Sequence, residues 1–147
     1  MQKTILGVVA ALVVVGGGWY FYMQKGEFAL ASSSVKQDTS LIVTESMLGK
    51  WQSVDDAKYV REFKEKDVVV DWYDGKTVST GLWVVFTKEK APKIFPYTMD
   101  TSSVYLQLTM TGSQADTLNF KISKMTPEEL QLVYLDRGGV LTFKRVQ

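Results

Sequence analysis

From residue 46 onward the sequence predicts an all-β domain, a small up-and-down antiparallel β-barrel of about eight strands. Two observations predict it. Beyond Trp51 apolar and polar residues alternate with period two, and the β-branched and aromatic runs are separated by short polar breaks, with no helical period long enough to compete. Short connections make consecutive strands antiparallel neighbours, and an eight-stranded meander removes its exposed edges by closing on itself. A two-sheet sandwich is the alternative arrangement of the same strands.

Residues 1–23 stand apart. Thr4 to Tyr22 carries no charge, and as a helix these roughly 19 residues reach about 28 Å, enough to cross a bilayer. Trp19, Tyr20, Phe21 and Tyr22 cluster at one end, where aromatic rings settle among headgroups, and Lys25 follows as an anchor. The expected form is a single-pass transmembrane helix whose C-terminal domain is extracytoplasmic. A cleaved signal peptide ending near Ala29-Leu30-Ala31 is the alternative, and it would release a secreted domain. Residues 24–45 read as a flexible linker, because Ala31-Ser32-Ser33-Ser34 and isolated charges leave little to bury. Its one apolar run, Leu41-Ile42-Val43, has a second reading in which it packs across one end of the domain.

The strands follow in order. Lys50–Val54, Tyr59–Lys64, Val68–Tyr73 and Thr77–Thr87 are separated by Asp55-Asp56, Glu65-Lys66-Asp67 and Asp74-Gly75. Asp74-Gly75 is the strongest hairpin signal, since Asp followed by Gly suits a turn with two positive φ angles. Val104–Met110, Leu118–Met125, Leu130–Leu135 and Val140–Val146 complete the set, with Gly112-Ser113 and Asp136 to Gly139 as turns. Thr126-Pro127-Glu128-Glu129 predicts a single helical turn before the seventh strand. Thr87 to Ser103 is too long for an ordinary loop, and Ile94, Phe95, Pro96 and Tyr97 give it an apolar tip flanked by Lys88, Lys90 and Lys93. Such a tip covers a barrel mouth, touches a partner or the membrane surface, or folds back onto its own domain.

Gly49-Lys50-Trp51 at the head of the first strand, followed by a meander of this length and by Arg145 at the end of the last strand, resembles the lipocalin and calycin superfamily, especially its minimal bacterial lipocalin-like domains. The resemblance implies that Trp51 closes one end of the barrel beneath Arg145. Strand closure read from the sequence agrees, because antiparallel first and last strands bring the start of one beside the end of the other. Gly49, Trp51 and Arg145 are therefore expected to form a structural latch. A short first turn at Asp55-Asp56-Ala57 departs from the family's long lid loop.

Composition narrows function mainly by exclusion. Lys and Arg number 17 against 16 Asp and Glu, which provides no electrostatic footprint for nucleic acid. There is no Cys and no His, so thiolate chemistry, disulfides and the commonest catalytic base are absent, and no catalytic residue, metal site or cofactor is predicted. Asp71 lies between Val70 and Trp72, and alternation sends it outward. The candidate interior, and with it the candidate ligand site, is Val70 and Trp72 on the third strand with Leu82, Val84 and Phe86 on the fourth; Ile94, Phe95 and Tyr97 are candidate loop contacts. Tyr59, Phe63, Tyr105 and Tyr134 have no clear face. The expected function is a membrane-tethered extracytoplasmic lipocalin-like module, not an enzyme, binding a small apolar ligand or an envelope component. The alternative is a structural or protein-interaction module of the cell envelope with a filled barrel.

Overall fold

In the computed structural model, residues 38–112 and 115–147 are described. The apolar segment 1–23 and linker residues 24–37 lie outside them, and among the described residues no helix is long and apolar enough to cross a membrane. One short helix, α1 (Thr39–Met47), precedes eight strands: β1 (Gly49–Ser53), β2 (Tyr59–Lys64), β3 (Val68–Tyr73), β4 (Lys76–Phe86), β5 (Val104–Thr111), β6 (Asp116–Met125), β7 (Glu129–Tyr134) and β8 (Val140–Val146). Each strand pairs antiparallel with its sequence neighbour, and β8 pairs back to β1, so the meander is a closed barrel. Closure holds the two edges together through Lys50↔Val146, Trp51↔Arg145, Gln52↔Lys144 and Ser53↔Phe143.

Local chemistry accounts for the turns. Asp74 and Gly75 take φ of 51° and 75°, the paired left-handed conformation that a two-residue hairpin requires. The Asp38 carboxylate accepts from Ser40 N at 3.1 Å and caps α1, which occupies the end of the chain stretch expected to be linker. The second reading of Leu41-Ile42-Val43 is the one seen: α1 lies at one end of the barrel, with Met47 fully buried and Val43 packed against the core. The turn expected at Thr126 to Glu129 is not helical. Thr126 N donates to Glu129 O at 2.9 Å, and Glu129 N donates to Thr126 Oγ1 at the same distance, which closes a tight bend from which Glu129 enters β7 directly.

The interior is filled from the α1 end to the middle. Trp51, Phe63, Val69, Trp83, Leu106 and Leu108, together with Phe120, Leu130, Leu132 and Phe143, expose 3% or less of their surface. Phe63 meets Trp83 edge to face at 5.1 Å. Gly81 is part of this packing, because a Cβ there would stand 2.4 Å from the backbone oxygen of Thr109 on the neighbouring strand.

The phase of β3 and β4 differs from the expected one. Val69 and Trp83 point inward with Asp71, while Leu82 is 55% and Val84 is 43% exposed on the outer face. Val70 and Trp72 share the outer side with Glu62, whose carboxylate accepts from Trp72 Nε1 at 3.2 Å. Val68, Val69 and Val70 run without interruption, so β3 carries no phase of its own. On β4, Trp83 takes the inside because its larger ring fills the space beside Phe63. Asp71, expected outside, is inside because Arg61 faces it across the β2–β3 register. Phe86 is buried from outside the barrel, beneath Phe95 at 5.1 Å between ring centres.

Candidate functional site

The two ends of the barrel are built differently. At the α1 end, Trp51 Nε1 donates to Met47 O at 2.7 Å, and the Arg145 guanidinium carbon stands 4.1 Å from the centre of the Trp51 ring. Arg145 spends its donors on three carbonyls: Leu48 at 2.7 Å, Ser46 at 2.6 Å and Pro127 at 2.5 Å. Gly49 is required beneath it. With φ of 116° and an added Cβ only 2.9 Å from Arg145 Nη1, any larger residue would be strained and would push the guanidinium away. Gly49, Trp51 and Arg145 thus tie helix, first strand and last strand into one plug. A depression of about 370 Å³ beside Arg145 has its strongest donors already engaged.

The opposite end is a cup of about 290 Å³ at the barrel mouth, lined by Tyr59, Arg61, Asp71, Ser79, Met110, Asp116, Leu118, Tyr134 and Arg137. Arg61 and Asp71 are directly paired in register and both point in from adjacent strands. Arg61 Nε donates to Asp71 Oδ1 at 2.7 Å and Nη2 to Asp71 Oδ2 at 2.9 Å, a bidentate ion pair whose side chains are 5% and 8% exposed. Nη2 also donates to the Tyr59 hydroxyl at 2.6 Å, and Ser79 Oγ donates to Asp71 Oδ2 at 3.3 Å. The guanidinium rests between the rings of Tyr59 at 5.7 Å and Phe120 at 5.9 Å. Phe120 in turn stacks on Tyr134 at 5.0 Å.

Burial works against the charge of Arg61, but its hydrogen bonds to Asp71 and the nearby oxygens outweigh it and raise its pKa. Burial pushes the Tyr59 hydroxyl well above the ordinary tyrosine range. The cup therefore holds a permanent cation and a neutral phenol. Among the described residues one buried side-chain polar atom is unmatched: Arg61 Nη1 has no hydrogen-bond partner. A buried guanidinium donor left without an acceptor is costly, on the order of 1 to 3 kcal/mol or more for a charged group.

Comparison with family models, with curated proteins and with solved structures returns no match. The site therefore rests on its own geometry.

Of the residues expected to line a ligand site, Leu82 and Val84 lie on the exterior of β4, Val70 and Trp72 on the exterior of β3, and Phe86 beneath the long loop. Residues 87–103 do not cover the mouth. They fold onto the outside of β4 to β6, where Phe95 packs edge to face on Phe86 and on Tyr105 at 5.6 Å. The Tyr97 hydroxyl donates to Asp136 Oδ1 at 2.6 Å, and this contact pushes its pKa up to about 12. Asp136 also accepts from Asn119 N at 2.7 Å, and Lys121 Nζ donates to Asp100 Oδ2 at 3.0 Å. At the tip Ile94 stands clear, at 85% exposure, and Pro96 is exposed as well.

Sequence reading did not find the mouth residues as a site. One signal was there: in Tyr59-x-Arg61-x-Phe63 an arginine occupies the same face as two aromatics, and Asp71 falls opposite it once the Glu65-Lys66-Asp67 turn sets the hairpin register. Charges in phase with a core face point inward.

Proposed function

We propose that this chain is a membrane-tethered, extracytoplasmic, lipocalin-like binding module, held by its N-terminal apolar segment, that takes a small ligand at the barrel mouth. The observation that carries the reading is the asymmetry of the barrel. One end is plugged by Trp51, Met47 and Arg145, while the other converges Tyr59, Arg61, Asp71 and Ser79 on a cup of about 290 Å³. Ligand sites combine apolar walls with a few placed polar groups and start at about 300 Å³, so this cup suits a small molecule. Its polar floor favours a polar ligand over the apolar one expected from the strand pattern. The tether follows from the uncharged run Thr4 to Tyr22 and its aromatic collar.

Thermal unfolding of the full chain in a nonionic detergent, scanned against small organic acids, amino acids and sugars, tests the reading. A ligand at 100 times its Kd should add about 2.7 kcal/mol and raise Tm in a concentration-dependent way. Saturable binding of an apolar fluorescent dye instead would restore the apolar-ligand reading. No response from any compound would leave the interaction-module reading, which the exposed Leu82, Val84 and Ile94 on the outer surface favour. Topology has its own test, made simple by the absence of cysteine. A Glu65→Cys variant should react with a membrane-impermeant maleimide on cells whose outer barrier is opened but whose cytoplasmic membrane is intact. Protection until that membrane is lysed would place the domain on the cytoplasmic side.

A further inference from the structure

We infer that residues 87–103 are a strap that shapes the barrel mouth from outside: seated by Phe95 and bonded to Asp136 and Asn119, they hold the turn that carries Arg137 to the cup, so unseating Phe95 loosens the mouth. This rests on the reading of the mouth as a ligand site, and it names a segment that controls that site.

The course of the loop supplies the first half of the inference. Strand direction alternates around the meander, so β4 ends and β5 begins at the α1 end of the barrel. The loop between them therefore starts and finishes away from the mouth, yet its Tyr97 reaches Asp136 in the turn between β7 and β8. Its seat lies on the way. Phe86 and Tyr105 are paired across β4 and β5 and face outward, in alternation with the core residues Leu106 and Leu108, and Phe95 covers both so that neither exposes more than 2% of its surface. The same Phe95 ring meets Tyr97 edge to face at 5.7 Å, so the seat and the apex of the loop move together.

The second half is a set of hydrogen bonds that leaves the loop and returns to it. At the mouth the pairing of β6 with β7 ends at Phe120↔Tyr134. Beyond that pair Asp136 takes the place of the ladder: its carboxylate accepts from Asn119 N at 2.7 Å and from Asn119 Nδ2 at 3.1 Å, beside the bond from Leu135 N to Asn119 O at 2.9 Å. Tyr97 donates to the same carboxylate at 2.6 Å. Asn119, which is buried, accepts at Oδ1 from Gln107 Nε2 at 2.9 Å, and that amide also donates to Ile94 O at 3.3 Å. Satisfied buried networks of this kind rigidify what they join. Here they join the loop to the turn, and Tyr134 and Arg137, which line the cup, flank Asp136 in that turn.

Amide hydrogen exchange of the uniformly ¹⁵N-labelled full chain in nonionic micelles, followed by NMR, tests the strap without any ligand. The reporters at the mouth are the amides of Asn119, Tyr134, Leu135 and Gly138, and those of Thr126 and Arg145 report the plugged end. Tyr97→Phe removes one bond to Asp136, whereas Phe95→Ala leaves every member of the hydrogen-bonded set in place and removes the seat. A hydrogen bond to a charged group is worth about a factor of ten or more in a local opening equilibrium. The expected result is exchange about tenfold faster at the mouth amides in both variants, with Thr126 and Arg145 unchanged. Mouth amides that keep their rates in either variant would overturn the inference, as would a uniform acceleration that includes Thr126 and Arg145. The thermal scan then decides separately whether the mouth binds a ligand.

Discussion

Arg61→Met should destabilise the domain by about 3 to 5 kcal/mol in equilibrium denaturation, the loss expected when one partner of a buried ion pair is removed. The reason lies in what remains. Asp71, 8% exposed, would keep Ser79 Oγ at 3.3 Å and the nearby Tyr59 hydroxyl as side-chain neighbours but lose its counter-charge, which leaves a carboxylate uncompensated in a buried position. Tyr59 would lose the donor that meets its hydroxyl at 2.6 Å. A loss below about 1 kcal/mol would show that water enters the cup freely and that the pair behaves as a surface contact.

Trp51→Ala should cost about 3 to 5 kcal/mol, the range for truncating a large buried aromatic. Trp51 is fully buried, so truncation opens a void between α1, β1 and β8. It also removes the donor to Met47 O and the ring over which Arg145 lies, the latter worth about 0.5 to 2 kcal/mol depending on desolvation. Urea titration reads the change directly. A shift under about 1 kcal/mol would mean that the seam between first and last strand does not depend on the plug.

Features set by local chemistry or by simple chain geometry were legible in the sequence. Asp74-Gly75 dictated its own turn, and antiparallel closure was enough to bring Trp51 to Arg145. What depended on competition between two faces was not. Val68-Val69-Val70 and Gly81-Leu82-Trp83-Val84-Val85-Phe86 are apolar on both sides, so only the fit of Trp83 against Phe63 decides which side goes in. Phe86 shows why burial and interior are different properties: it is covered by Phe95 from sequence that was free to go elsewhere. Leu41-Ile42-Val43 was too short to announce a helix, because α1 is held by the Asp38 cap and by Met47 in the core. The mouth was least legible. Tyr59, Arg61, Asp71, Ser79 and Tyr134 come from four strands, and no spacing within one strand marks them as a group.

Buried ion pairs seldom improve stability over an apolar pair of similar size, which makes Arg61–Asp71 a feature that folding alone does not demand. The double replacement Arg61→Met with Asp71→Leu separates the two roles, since it leaves no uncompensated charge. Stability and the ligand response of the thermal scan, measured together on that variant, test whether the pair exists for recognition. The expected result is a barrel at least as stable as the unaltered protein that no longer responds to the compounds that stabilise the unaltered protein. A barrel weakened by several kcal/mol whose response is unchanged would contradict it.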